Sequence, residues 1–402
     1  MTWKREDNQN GKERLQIMNY DIAVIADIHW DALDPKKQYH ELQFFNAFVE
    51  RVEHLDLVVI AGDVFDTKIL LNSKTSLKAL QWMSELVEIC KKRNTKIRII
   101  KGTNSHDNNQ LDAFNGYEDG TDFFHIFRQC TSEETLPGMQ CLYCPDEVMS
   151  QKEWEDAYID LLYGKIYDAV FFHGSFDIVL PEIVNQESEF VGAKGITFKY
   201  SHFREISHVM VGGHWHDGSA SEGEHMYYTR SYSRWSYGEM NPKGFVYLNY
   251  DTEDKSYCLQ RVENPYADLY MTYSVDTRSM PNVDSYQGLI QKIHEDLQDP
   301  KVHIRISIRI TDTKIENQNA IDMLRRTFID QTRRVKIHLR NEMKEEIRKR
   351  DQERTERIRD RFDFVRDKNN TTSQIIQKFI HETKDVDISL EDIDRFVTKY
   401  MR

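Results

Sequence analysis

The sequence predicts an α/β fold followed by a small α+β domain and a helical tail. Three observations carry this. Five short apolar runs rich in β-branched residues alternate with helical-period segments between residues 20 and 213. The runs are apolar at consecutive positions rather than every second one, as in strands buried on both faces of a partly parallel sheet. Beyond Asn264-Pro265 the order changes to strand, helix, strand, helix, strand, and two amphipathic stripes close the chain.

In chain order, residues 1–19 read as a flexible polar leader. The strands follow as YDIAVIA (20–26), DLVVIAG (56–62), KIRIIKG (96–102), YDAVFFHG (167–174) and SHVMVGG (207–213), with helices near 36–54, 73–93 and 151–163. MYYTRSY, GFVYLNY and YCLQRV read as an antiparallel finish to about 262. The second domain, 263–340, is expected to hold strands at 269–275, 301–311 and 334–339 and helices at 285–297 and 317–329. A tail over 341–402 begins as a charged helix (340–362). It ends in the stripes Ile375, Ile376, Phe379, Ile380 and Leu390, Ile393, Val397, Tyr400, the latter behind a capping-box-like Ser389-x-x-Asp392.

Composition bounds the function. The 402 residues are 39% hydrophobic and 30% charged, with 17 Gly and 8 Pro, which excludes collagen-like and wholly disordered chains. No apolar run reaches the ~18 residues of a membrane span. The polar N-terminus lacks a secretory pattern, so the expected compartment is the cytoplasm. Five Cys form no disulfide framework, and Cys141-x-x-Cys144 lacks a second pair for zinc, so packing is its expected role. The net charge of −13 is uneven: residues 263–402 hold 27 basic and 26 acidic side chains, leaving 27 and 41 for residues 1–262. Whole-chain acidity therefore does not exclude a local anion site.

Chemistry gathers at the strand ends. They carry Asp27-x-His29, Gly62-Asp63-x-x-Asp66, Gly102-Thr-Asn104-Ser105-His106-Asp107, His173-Gly174 and Gly213-His214-x-His216. Ligands of open α/β sheets bind at the carboxyl ends of strands, which places these clusters around one crevice. Carboxylates and imidazoles without thiolates suit divalent ions such as Mn²⁺, Fe²⁺ or Zn²⁺. Asp27, His29, Asp63, His173, His214 and His216 are too many for one tetrahedral ion. Two ions about 3.5–4 Å apart, sharing a carboxylate, would activate water and neutralise a phosphate in an in-line displacement.

This series of motifs resembles the calcineurin-like metallophosphoesterases. It is most similar to SbcD-type DNA repair nucleases, relatives of the meiotic-recombination-eleven nuclease of bacterial or phage origin. Gly62-Asp63-Val-Phe-Asp66-Thr67 looks like their G-D-[IVL]-F-D-T. Arg230-Ser231 through Ser236-Tyr237-Gly238-Glu239 to Lys243-Gly244-Phe245 is similar to their closing segment. The resemblance implies a metallophosphoesterase β-sandwich flanked by helices over 20–262, a DNA-capping domain over 263–340 and an ATPase-binding tail over 341–402. It implies that Asp27, His29, Asp63 and His216 hold one metal, with Asp63 bridging to a second held by His173 and His214. His106 would protonate the leaving oxygen and Asp107 would orient His106. In the third loop the family reads Gly-Asn-His-Asp, so either Ser105 or Asn104 is expected as the remaining second-metal ligand. Asp66, Arg230 and Arg234, the arginines interleaved with Tyr228, Tyr232, Trp235 and Tyr237, are candidate substrate contacts. Arg325, Arg326, Arg333, Arg334 and Lys336 cluster in the expected capping domain.

The expected function is that of a DNA exonuclease or endonuclease subunit using two divalent ions, Mn²⁺ first and Mg²⁺, Fe²⁺ or Zn²⁺ as alternatives. By resemblance it forms a homodimer and docks its tail helices on an SbcC-type coiled-coil ABC ATPase, in a bacterial or phage-infected cell. Two alternatives stand beside it: a phosphoesterase acting on small phosphodiesters or phosphoproteins, and a non-catalytic scaffold of the same fold.

Overall fold

In the computed structural model, residues 19–70, 72–179, 196–217, 224–239, 241–278, 283–310, 315–341, 370–384 and 387–400 are described. The expected leader, up to residue 18, and the charged helix from residue 342 onward lie outside them.

The chain divides into two compact units, the first reaching Met271 and including Asp299–His303. It opens with β1 (Asn19–Ile25), α1 (Pro35–Arg51), β2 (Leu57–Ala61), α2 (Lys74–Arg93) and β3 (Lys96–Ile100). Then come β4 (Phe124–Phe127), β5 (Thr131–Leu136), β6 (Met139–Cys144), α3 (Gln151–Ala157), α4 (Ile159–Leu162) and β7 (Tyr167–His173). A two-stranded ribbon of β8 (Ser175–Phe176) and β9 (Thr197–Phe198) leads to α5 (Tyr200–Ile206) and β10 (Ser207–Gly213). β11 (Met226–Tyr228), β12 (Gly244–Asp251) and β13 (Tyr257–Glu263) complete the unit.

These strands form two sheets, in the orders β13-β12-β1-β2-β3-β4 and β11-β10-β7-β6-β5. Ile22, Val24, Leu57 and Val59 of the first meet Cys141, Tyr143, Phe171, Val209 and Val211 of the second in a fully buried core. The opposite faces are covered by helices: Val58, Ile60 and Ile99 by Leu42, Phe45, Trp82 and Leu86, and Val170, Phe172 and Met210 by Trp154 and Phe203. Every strand between two apolar layers must bury both faces. That is why β2, LVVIA, is buried at all five positions and shows no alternation. The result is a β-sandwich flanked by helices.

Two expectations change. The five motif-bearing strands do not share one sheet, because β7 and β10 belong to the second. β11 pairs parallel with β10, so of the expected antiparallel finish only β12 and β13 are antiparallel. Cys141 and Cys144 are both buried, on opposite faces of β6, with Cys144 Sγ 3.7 Å from Cys130 Sγ.

Local signals explain the helices. Asp34 caps α1 by accepting from the backbone N–H groups of Lys36 and Lys37, with Pro35 just behind it. Ser73 caps α2 by accepting from Ser76 N, and Asn94 ends that helix at φ +56°.

The second unit comprises Thr272–Gln298 and the residues from Ile304 onward. β14 (Leu269–Asp276), β15 (Val302–Ile310) and β16 (Val335–Asn341) form a sheet in that order, with α6 (Gln287–Asp296) and α7 (Ile315–Thr327) between strands in sequence. β15 alternates buried Ile304, Ile306 and Ile308 with Arg305, Ser307 and Arg309. Its parallel register sets Arg305 beside Lys336 and Arg309 beside Arg340, so one face is apolar and the other basic. α8 (Thr372–Lys384) and α9 (Leu390–Tyr400) pack on each other, with Gln377 donating to the Ile388 carbonyl at 2.7 Å. The Ser389 hydroxyl accepts from Asp392 N at 3.2 Å, as the capping pattern predicts. Among the described residues no helix is long and apolar enough to cross a membrane.

Candidate metal centre

The strand-end clusters converge from both sheets. β1, β2 and β3 of the first deliver Asp27, His29, Asp63 and the 102–107 loop; β7 and β10 of the second deliver His173, His214 and His216. Four of these residues leave their strands in the left-handed region: Asp27 at φ +48°, His29 at +50°, Asp63 at +48° and His214 at +105°. Such backbone is costly for side-chain-bearing residues and gathers where function over-determines it. Gly62, at φ +87°, is required sterically, because a Cβ there would lie 2.2 Å from His173 Nδ1.

Three donor groups result, each with its ligand atoms within 4.8 Å of one another: Asp27, His29 and His216; Asp63, His173 and His214; and His29, Asp63 and His106. Asp63 Oδ2 joins them, 3.2 Å from His173 Nε2 and 3.7 Å from His29 Nε2. The hydrogen bonds assign the tautomers. His29 Nδ1 donates to Asp66 Oδ1 at 3.1 Å and His173 Nδ1 to the Ala61 carbonyl at 2.8 Å, turning both Nε2 atoms inward. His29 Nε2 then faces His216 Nε2 at 3.1 Å. Imidazole Nε2 atoms converging on a carboxylate, with the His29 and His173 rings fixed by outer acceptors, are the chemistry of a divalent-ion ligand set. The residues fit the metal.

The electrostatics agree. Burial lifts Asp27 to about 6 against the pull of His173 and His29. Asp63 is also buried, yet His173, His29 and His106 hold it below the ordinary carboxylate range. Burial works against charge on His173, but Asp63 and then Asp27 raise it to about 10. His214 falls to about 3 through burial and the proximity of His173, and His216 falls well below its usual value through burial and His29. His214 and His216 are therefore neutral imidazoles, the form that binds metal.

The remaining sequence expectations divide. His106 is half-buried, donates from Nδ1 to the Asp66 carbonyl, and meets His29 edge to face at 4.7 Å. Asp107 does not orient it. Asp107 is fully buried and accepts from the backbone N–H groups of Val64 (2.8 Å), Phe65 (3.1 Å) and Gly102 (2.7 Å), clamping the second loop to the third. Asp66 orients His29 instead of facing substrate. Arg234 is also withdrawn from substrate, 7% exposed, with its guanidinium on the carbonyls of Asp268 (2.9 Å) and Asn241 (2.7 Å). Arg230 is half-buried, reaching the Pro242 carbonyl at 3.5 Å.

Asn104 and Ser105 turn away from the donor groups. Both are exposed, and Asn104 Oδ1 accepts from Lys101 Nζ at 3.1 Å. Thr103 stands there instead, its N–H on Asp63 Oδ1 at 2.6 Å. Aligning the loop from Gly102 forward, rather than from His106-Asp107 backward, would have found it. Trp235, one of the aromatics interleaved with Arg230 and Arg234, packs on His29 and His216 at 4.8 and 4.9 Å. Lys243 of the closing segment is buried and donates to the His216 carbonyl at 2.6 Å, with Glu239 at 2.8 Å as its counter-ion. Lys243 and Glu239 of that segment thus brace the last metal loop.

Among solved structures, the chain is similar to one crystal structure at TM-score 0.34 and 10% identity, over 61% of this chain and 99% of the other. It is similar to a glutamine-dependent NAD⁺ synthetase from Acinetobacter baumannii, in complex with ADP, at TM-score 0.30 and 11% identity, over 95% of this chain and 73% of that one. At such scores neither likeness bears on fold or function. No curated protein matches the chain. Residues 20–218 do match the calcineurin-like phosphoesterase family. The converging carboxylates and imidazoles fall within that span, and the match supports a calcineurin-like metallophosphoesterase domain there, of a superfamily of divalent-metal hydrolases of phosphate esters.

Proposed function

We propose that the protein is a metal-dependent DNA nuclease, the hydrolytic subunit of an SbcCD-like repair complex, using two divalent ions of which manganese is the first choice. One observation carries the hydrolytic core of this reading: two donor groups share Asp63 Oδ2, with His106 beside them. Divalent ions held there supply an acidified water nucleophile and neutralise phosphate charge. The protein's own groups do the rest. Asp66 and the Ala61 carbonyl fix the rings of His29 and His173. The Asp66 carbonyl fixes His106 through Nδ1, leaving Nε2 to carry a proton to the departing oxygen.

The step from phosphoesterase to nuclease is supported by the G-D-V-F-D-T and closing-segment motifs and by the basic strand face of Arg305, Arg309, Lys336 and Arg340, suited to phosphate contacts. The α8–α9 pair, with its apolar stripes, suits docking on a helical ATPase partner, and a homodimer completes the assembly.

A linear duplex incubated with Mn²⁺, with and without chelator, tests this beside bis-p-nitrophenyl phosphate. Metal-dependent shortening of the duplex supports the nuclease. Cleavage of the small diester with the duplex intact moves the reading to small phosphodiesters, and inertness toward both favours a scaffold. His106→Ala should lower duplex cleavage by about 10²–10⁴-fold while calorimetry shows unchanged Mn²⁺ binding.

A further inference from the structure

We propose that the Thr103 hydroxyl is the fourth protein donor of the second cation site, completing Asp63, His173 and His214. The inference deepens the two-ion reading above and rests on it. Thr103 Oγ1 lies 3.2 Å from Asp63 Oδ2, 3.3 Å from His173 Nε2 and 3.5 Å from His214 Nδ1. Asp63 Oδ2 and His173 Nε2 are themselves 3.2 Å apart. Ligands about 2.0–2.2 Å from a tetrahedral ion lie about 3.3–3.6 Å from one another along its edges. The four atoms have the spacing of such a shell. A hydroxyl has one proton to give, and three neighbours of this kind exceed what a single O–H donates to. A cation at their centre satisfies all four.

The loop is built to hold Thr103 there. Its backbone N–H is fixed on Asp63 Oδ1, and Gly102 lets the two chains meet: a Cβ at 102 would lie 2.1 Å from Asp63 N and 2.2 Å from Oδ1. Asn104 is turned outward, its side-chain carbonyl on Lys101 and its backbone N–H on the Asp146 carboxylate. Asn104 and Ser105 are a two-residue bulge into solvent, so the loop lengthens without displacing Thr103 or His106.

An alcohol is a poorer neutral donor than a carboxamide carbonyl. The Asp27–His29–His216 site therefore fills first and the Thr103 site second. Calorimetric titration of the chelator-stripped full-length protein with Mn²⁺, paired with electron paramagnetic resonance for coupled Mn²⁺ pairs, tests this. Wild type should bind in two steps. Thr103→Val should weaken only the second step, at least tenfold, and abolish the coupled signal, whereas Thr103→Asn should tighten that step. Unchanged steps in Thr103→Val overturn the Thr103 assignment and leave the two-ion reading standing. Loss of both steps shows that Thr103 acts only by holding Asp63, and also overturns it. A wild type that binds fewer than two ions overturns both proposals. If Thr103→Val does not fold, Thr103→Asn alone decides: a tighter second step supports the ligand, an unchanged one removes it.

Discussion

The two sheets of the first unit make unequal contributions to the metal centre. The first delivers every carboxylate of the donor groups, Asp27 and Asp63, together with His29 and His106; the second delivers imidazoles alone, His173, His214 and His216. Carboxylates come from one wall and only imidazoles from the other. The Asp27–His29–His216 and Asp63–His173–His214 groups each draw on both walls. A bound cation is thus a cross-link between sheets as much as a reagent, and the apolar interlayer that sets their separation acts on the chemistry at a distance.

The most damaging way to break this division is to remove the shared charge. Asp63→Asn keeps the shape but withdraws the carboxylate common to both walls. Phosphodiester hydrolysis should fall by roughly 10³-fold or more, the size of several kcal/mol of lost charge stabilisation, and titration should find both ions weakened. Next comes the spacing. Phe171, fully buried on β7 between the sheets, makes no contribution to the donors. Phe171→Ala should cost about 3–5 kcal/mol of stability, read by denaturant unfolding. If the walls act together, Mn²⁺ affinity falls as well; an unchanged affinity would show that the two sets of loops are independent of the layer beneath.

A smaller effect tests how the rings are held. His29 leans on a carboxylate, whereas His173 leans on a backbone carbonyl. Asp66→Asn should lower affinity for the Asp27–His29–His216 ion by about 10–100-fold and leave the second ion nearly unaffected, as resolved by titration. The gentlest test is pH. His173 is raised to about 10 in the ion-free protein, above its ordinary value near 6.5. Its stabilising charge is fully present below that ordinary value and is lost as pH climbs through about 10. Asp27, also raised, acts in the window between its usual carboxylate range and about 6, where ionisation on going up in pH removes stability. Melting curves of chelated protein should therefore decline on the alkaline side, and saturation with Mn²⁺, which displaces the His173 proton, should flatten that decline.

Much of this centre could be read in the sequence, for a physical reason. Strands buried on both faces write themselves as unbroken apolar runs, and the D-x-H, G-D and G-H-x-H clusters stand where each run stops. The same fact hid the architecture. A strand apolar on both sides carries no mark of which sheet it joins, so β7 and β10 read as neighbours of β1–β3. β11, only Met226–Tyr228, was too short to declare its parallel pairing. Thr103 was missed because the loop is two residues longer than the resembled pattern and the conspicuous His106-Asp107 pair anchored the wrong end. Asp107 and Arg234 carry charges that suggest chemistry, yet both are spent on backbone groups, and only burial distinguishes such a brace from a reagent.

The left-handed turns at Asp27, His29, Asp63 and His214 have a consequence for anyone evolving this protein. Each stores of order 1 kcal/mol that glycine would release. A search for sturdier variants, scored by heat resistance alone, would therefore be drawn to these four positions and return a tougher molecule with no reactivity. Selection for durability has to be coupled to a readout of ion binding at every round.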